Sequence, residues 1–146
     1  MSANVGEALK PLSKVASGGE LARIMLAMKQ VLAQQDGVPT LIFDEVDAGV
    51  SGRAAQKVAL KLWAVSKGRQ VLCVTHLPQI AAMADAEFTV EKRVEHERTY
   101  TSVLHLDDSG RRQELARLIG GSMITETTLA GAAELLRLAD EAKKGI

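Results

Sequence analysis

Two short apolar runs, Leu41–Phe43 and Val71–Val74, constrain most what this chain can become. Each is too short for a buried helix and is bounded by turn or polar residues, which reads as a buried strand. Between them Ala55, Val58, Ala59, Leu62 and Val65 recur at helical spacing, with Ser51 placed to cap the helix they define. Before the first run, Leu21, Ile24, Met25, Met28, Val31 and Leu32 follow the same spacing from Ser17 to about Asp36-Gly37. After the second run, Pro78 to Ala84 reads as a short helix. Helix and strand alternate, and that order predicts an α/β fold with a mostly parallel sheet and flanking crossover helices.

The period then changes. Phe88, Val90 and Val94 alternate with polar residues, as do Tyr100, Ser102, Leu104 and Leu106 across the break Glu95–Arg98. This pattern predicts an antiparallel hairpin. Asp107 to Gly110 is a turn cluster, Arg111–Ile119 a short helix interrupted by Gly120-Gly121, and Leu129–Lys144 a closing helix. Met1 to Ala16 reads as an entry segment. At 146 residues the chain is expected to form one domain over 1–146. Its 18 basic and 18 acidic residues cancel, so no global charge attracts DNA or anionic lipid. The single cysteine, Cys73, excludes an internal disulfide and suits a reducing compartment. No apolar run approaches the roughly 18 residues of a membrane span. The expectation is a cytoplasmic protein with no membrane partner.

Ser17-Gly18-Gly19-Glu20 carries the first chemistry. Its plain reading is a capping box, with Ser17 at the N-cap and Glu20 three residues into the helix. Two consecutive glycines weaken a helix unless something approaches the backbone closely. A helix start with exposed amides and a hydroxyl is an anion site, so the segment reads as a phosphate contact. Asp44 and Glu45 end the first strand. Adjacent carboxylates repel unless a cation or proton intervenes; Asp44 suits magnesium held through water, and Glu45 suits orienting or deprotonating an attacking water. His76 directly follows the second strand, at the same carboxyl edge, where open parallel sheets bind ligands. There it reads as a donor to a terminal phosphate, against the plainer reading of a surface histidine. Asp47 is either a turn residue or an interface contact. Lys57 with Lys61, and Arg111, Arg112 and Arg117, read as solvated faces, while His96 and His105 lack metal-ligand spacing. No Gly-Lys dipeptide occurs, so the phosphate-cradling loop G-x-x-x-x-G-K-[ST] is missing.

The segments ASGGE, LIFDEVDAGVSG and VTHLPQIAA resemble the signature, Walker B, D-loop and switch-histidine segments of ABC-type ATPase heads. The wording is similar to that of bacterial recombination-repair ATPases related to the structural-maintenance-of-chromosomes (SMC) proteins. The resemblance implies the C-terminal lobe of a head, whose N-terminal lobe carries the Walker A phosphate loop and is joined through a coiled-coil arm. Two heads then sandwich ATP and Mg2+. Ser17, Gly18, Gly19 and Glu20 would lie at the nucleotide of the opposite head, and Asp47 at the dimer interface. Asp44 would serve magnesium, Glu45 the water and His76 the γ-phosphate. It further implies a homodimer of heads, contact with DNA through the complete protein, a place at the nucleoid, and repair of double-strand breaks by recombination. Two alternatives stand beside it: a docking lobe that binds no nucleotide productively, and a transporter ATPase subunit. Ala16, where transporter-type members usually have leucine, weakens the latter.

Overall fold

A computed structural model describes residues 16–32, 37–95 and 98–145. The chain divides into two compact units, one up to Leu77 and one from Pro78.

In the first unit, α1 (Gly18–Val31) begins at Ser17, whose backbone stays extended at φ −71° and ψ 163°. The capping box forms as expected: Glu20 N–H donates to the Ser17 hydroxyl, and Ser17 N–H donates to Glu20 Oε2 at 2.8 Å. Strand β1 (Thr40–Phe43) leads through a loop into α2 (Gly52–Val65), and β2 (Gln70–Cys73) returns parallel to β1. The register pairs Thr40 with Gln70 and Phe43 with Cys73, so both strands end at one edge. Ala55, Val58, Ala59, Leu62 and Val65 are all buried, as their spacing requires, and join Leu41 and Phe43 in the core.

Two features depart from the pattern read in the sequence. The strand runs imply burial on both faces, yet Ile42 is 71% and Val74 64% exposed, and Leu72 is exposed with them. A parallel pair with one crossover helix has cover for only one face. Likewise Leu26 is the buried apolar side chain of α1, while Leu21, Met25, Met28, Val31 and Leu32 form an uncovered ridge.

The second unit opens with α3 (Pro78–Ala81), followed by β3 (Phe88–Glu95) and β4 (Arg98–His105), the expected antiparallel hairpin. His105 stacks at a tilt on Phe88, centroids 4.9 Å apart; His96 lies outside the described residues. Helix α4 (Asp108–Gly120) starts three residues earlier than the expected Arg111, because Asp107 is its cap and accepts from Gly110 N–H at 2.7 Å. Gly121, at φ 75°, ends it in the left-handed region that suits glycine. Helix α5 (Glu126–Lys144) starts at a second capping box, Thr125 with Thr128, rather than at Leu129. A Cβ on Gly120 would lie 2.7 Å from Thr128 Cγ2, so this glycine lets α4 and α5 meet closely. Arg111 is not the solvated side chain its charge suggests: it donates to Ala84 O at 2.9 Å and pairs with the buried Glu87 at 3.5 Å. Lys143 reaches the same Ala84 carbonyl from α5. None of the described helices is long and apolar enough to cross a membrane.

Candidate functional site

The parallel register delivers three acidic residues and a histidine to one edge of the first unit. Phe43 and Cys73 are opposite each other, and Val74 N–H donates to Phe43 O at 3.0 Å. Asp44, Glu45 and Asp47 leave β1 beside Thr75 and His76 leaving β2, around an open cleft of about 360 Å³. Asp44 and Glu45 are both exposed there. The backbone turns sharply between them. Glu45 adopts φ 56°, in the left-handed region that non-glycine residues seldom enter, and its N–H donates to Asp44 Oδ1 at 2.9 Å.

Asp47 points inward. Its Oδ2 accepts from the Thr75 hydroxyl at 2.6 Å and from His76 N–H at 2.9 Å, and lies 3.1 Å from His76 Nδ1. Burial on its own would raise the carboxyl's pKa, but the Thr75 hydroxyl and the His76 amide and ring outweigh it and hold the group below its ordinary value. With Nδ1 turned to Asp47, the ring of His76 is oriented and its Nε2 is presented outward from a side chain 74% exposed. Cys73, one residue from this network, is chemically quiet: burial, with Asp47 and Asp44 nearby, pushes its thiol up to about 12.

The start of α1 lies against the same loop. Gly19 is buried, and a Cβ on it would sit 2.9 Å from Ala48 Cβ, Ala48 O and Glu45 O. A Cβ on Gly18 would meet Glu45 Oε2. Gly19 thus serves close approach of backbone to backbone, a reason the glycine pair suggests, while Gly18 faces the movable end of the Glu45 side chain. Arg23, one turn further on, donates through Nη1 to Ala48 O at 2.7 Å and to Val46 O at 3.3 Å. The Ser17 hydroxyl donates to Glu20 at 2.9 Å, which together with the Ser17 amide keeps the Glu20 carboxyl below its ordinary range.

The structure therefore brings Gly18, Gly19, Asp44, Glu45, Asp47 and His76 to one region, with Ser17 and Glu20 closing the first turn of α1. Sequence reasoning assigns no role to Thr75, which bonds Asp47 28 residues away, or to Arg23, which bonds the carbonyls on either side of Asp47, 23 and 25 residues away. Among the described residues no group of three or more His, Cys, Asp or Glu forms a metal cage. Asp44 and Glu45 are the exposed carboxylates of this edge, and one or two carboxylates are what magnesium takes when phosphate and water complete its shell.

No protein-family model matches the chain. Curated relatives do. Over 143 residues it is 52% identical to the DNA repair protein RecN of Bacillus subtilis, covering 98% of this chain and 25% of that protein. The DNA repair protein RecN of Treponema pallidum is 50% identical across 99% of the chain, and that of Vibrio cholerae 51% across 93%. The chain spans about a quarter of the length of the relatives it matches. A solved SMC ATPase structure, described in terms of ATP-driven dimerization and DNA-stimulated activation, superposes with a TM-score of 0.56 at 24% identity, over 81% of this chain and 70% of its own. The fold is thus α/β and like that of an SMC ATPase.

Proposed function

We infer that this chain, RecN-like in sequence over nearly its whole length, is the C-terminal lobe of an ATP-hydrolysing head that acts in DNA repair. One observation carries the reading. Asp44, Glu45 and an oriented His76 share the edge against which the Gly18-Gly19 start of α1 lies. A lobe that only docks has no use for this arrangement.

Each group has a task that its geometry supports. Gly18 and Gly19 leave the first turn of α1 without side-chain bulk, and their own amides precede the first intrahelical bonds, which suits a nucleotide phosphate of a second head. Magnesium, when bound, neutralises charge on the phosphates, and Asp44 is the residue to hold it. Glu45 accepts a proton from, or orients, the attacking water. Asp47 accepts from His76 and keeps its Nε2 aimed outward toward the terminal phosphate. The Walker A lobe of the same protein supplies the phosphate loop that this chain lacks, and the uncovered Ile42, Leu72 and Val74 face supports an additional layer over β1 and β2. The homodimer of heads, contact with DNA, recombinational repair of double-strand breaks and nucleoid association belong to the complete protein.

The test uses the complete protein and two substitutions. Glu45→Gln keeps size and hydrogen bonding but removes the base, so turnover falls about 10² to 10⁴-fold while ATP binding survives and ATP-dependent dimers last longer. Ser17→Arg places bulk where the opposing phosphate would sit, so each head binds ATP but dimers fail to close. Light scattering with and without ATP reads both. Weaker dimerisation by Glu45→Gln together with unchanged dimerisation by Ser17→Arg would contradict these roles.

A further inference from the structure

The phosphate-facing start of α1 and the acidic loop are two motifs in the sequence and one body in the structure. Gly19 lets the loop lie flat on the first helical turn, with Glu45 O and Ala48 O in the space a Cβ would need. Above that contact the half-buried Arg23 guanidinium grips the carbonyls of Val46 and Ala48, the residues flanking Asp47. Val46 is fully buried, so the gripped segment has little freedom of its own. Asp47 in turn holds His76 through its amide and ring. Hydrogen bonds from α1 to the backbone of Val46 and Ala48, and from His76 to the Asp47 carboxylate between them, therefore join α1 to His76 through this short stretch of chain.

We propose that Arg23 is a positioning residue that couples the two composite nucleotide sites, transmitting the seating of α1 on one nucleotide to Glu45 and His76 at the other. The proposal rests on the head reading above. In an engaged pair of heads the start of α1 serves the partner's ATP, whereas Glu45 and His76 serve the ATP held by their own head. Since Arg23 locks the two pieces together, neither site assembles while the other is open. Both bonds leave one nitrogen, Nη1, whose two N–H groups are fixed in the guanidinium plane, whereas the ammonium of lysine carries its donors on a freely rotating end.

The test is steady-state ATP hydrolysis by the complete protein over a range of ATP concentrations, for Arg23→Ala, Arg23→Lys and Glu45→Gln, with nucleotide binding and unfolding temperature measured alongside. Arg23→Ala is expected to lower kcat by on the order of 10²-fold, the scale of a small misplacement of catalytic groups. KM and ATP binding stay close to wild type, and the Hill coefficient falls to about 1, the value for uncoupled sites. Arg23→Lys recovers part of kcat. Wild-type kcat and Hill coefficient in Arg23→Ala, alongside an inactive Glu45→Gln, overturn the coupling and leave the head reading intact. A matched loss of kcat, ATP binding and unfolding temperature, with lysine no better than alanine, overturns it as well, because Arg23 then only maintains the fold. Full turnover by Glu45→Gln overturns the head reading and the coupling with it.

Discussion

Among the described residues each unit buries one carboxylate, and the two are held in opposite ways. Asp47 is 3% exposed and Glu87 8%. Asp47 accepts two hydrogen bonds of 2.9 Å or less and has the His76 ring at 3.1 Å, which together hold it below its ordinary value of 3.8 despite burial. For Glu87 burial prevails and raises it above 4.5, against the lowering effect of Arg111 at 3.5 Å. The difference separates an edge arranged for chemistry from a joint arranged for packing. Asp47 stays ionised at neutral pH and sets the orientation of an exposed histidine. Glu87 and Arg111 tie the segment after α3 to α4.

Removing the carboxylate that does more should break the contrast most visibly. Asp47→Ala leaves the Thr75 hydroxyl and the His76 amide without their acceptor, and a loss of about 3 kcal/mol is expected for two such donors in buried surroundings. Chemical denaturation of the complete protein measures it; a change as small as that of an ordinary surface substitution would show that the network is not holding the edge. Next in size is Gly19→Ala. Its Cβ meets backbone atoms of Glu45 and Ala48 that cannot swing aside, so overpacking should lower stability by about 2 kcal/mol. Gly37→Ala, with open space around it, should stay within about 0.5 kcal/mol. Equal effects at the two glycines would contradict the close approach of α1 to the acidic loop.

The smallest effect is the sign of two pH dependences. Asp47 has a lowered folded pKa, so its contribution is complete above 3.8 and is lost as pH falls through the folded value. Glu87 has a raised one, so its contribution is complete below 4.5 and is lost as pH rises through the folded value. Stability profiles of Asp47→Asn and Glu87→Gln against wild type should therefore diverge in opposite directions, the first flattening the acid limb and the second the limb above 4.5. Slopes of the same sign would remove the distinction between the two carboxylates.

What the sequence disclosed was local. Thr40–Phe43 matches its strand at both ends, the capping box at Ser17 is present, and the hairpin strands end at Glu95 and resume at Arg98, the bounds of the polar break. These signals reside in neighbours three or four positions apart. The inward turn of Asp47, the grip of Arg23 and the left-handed backbone of Glu45 depend on contacts across twenty or more residues, or on a loop with no periodic pattern. The strand runs announced burial on two faces because that is what parallel strands meet in a complete sheet. Ile42 and Val74 are exposed because this chain covers only one.

The most direct measurement is phosphate release from ATP by this chain alone and after addition of the lobe that bears the phosphate loop, each with and without Glu45→Gln. The expected result is no turnover above background for the chain alone, turnover once the lobe is added, and its loss with the substitution. Hydrolysis by the chain alone at the rate of the complete protein would contradict the assignment of Asp44, Glu45 and His76 to half of a composite site.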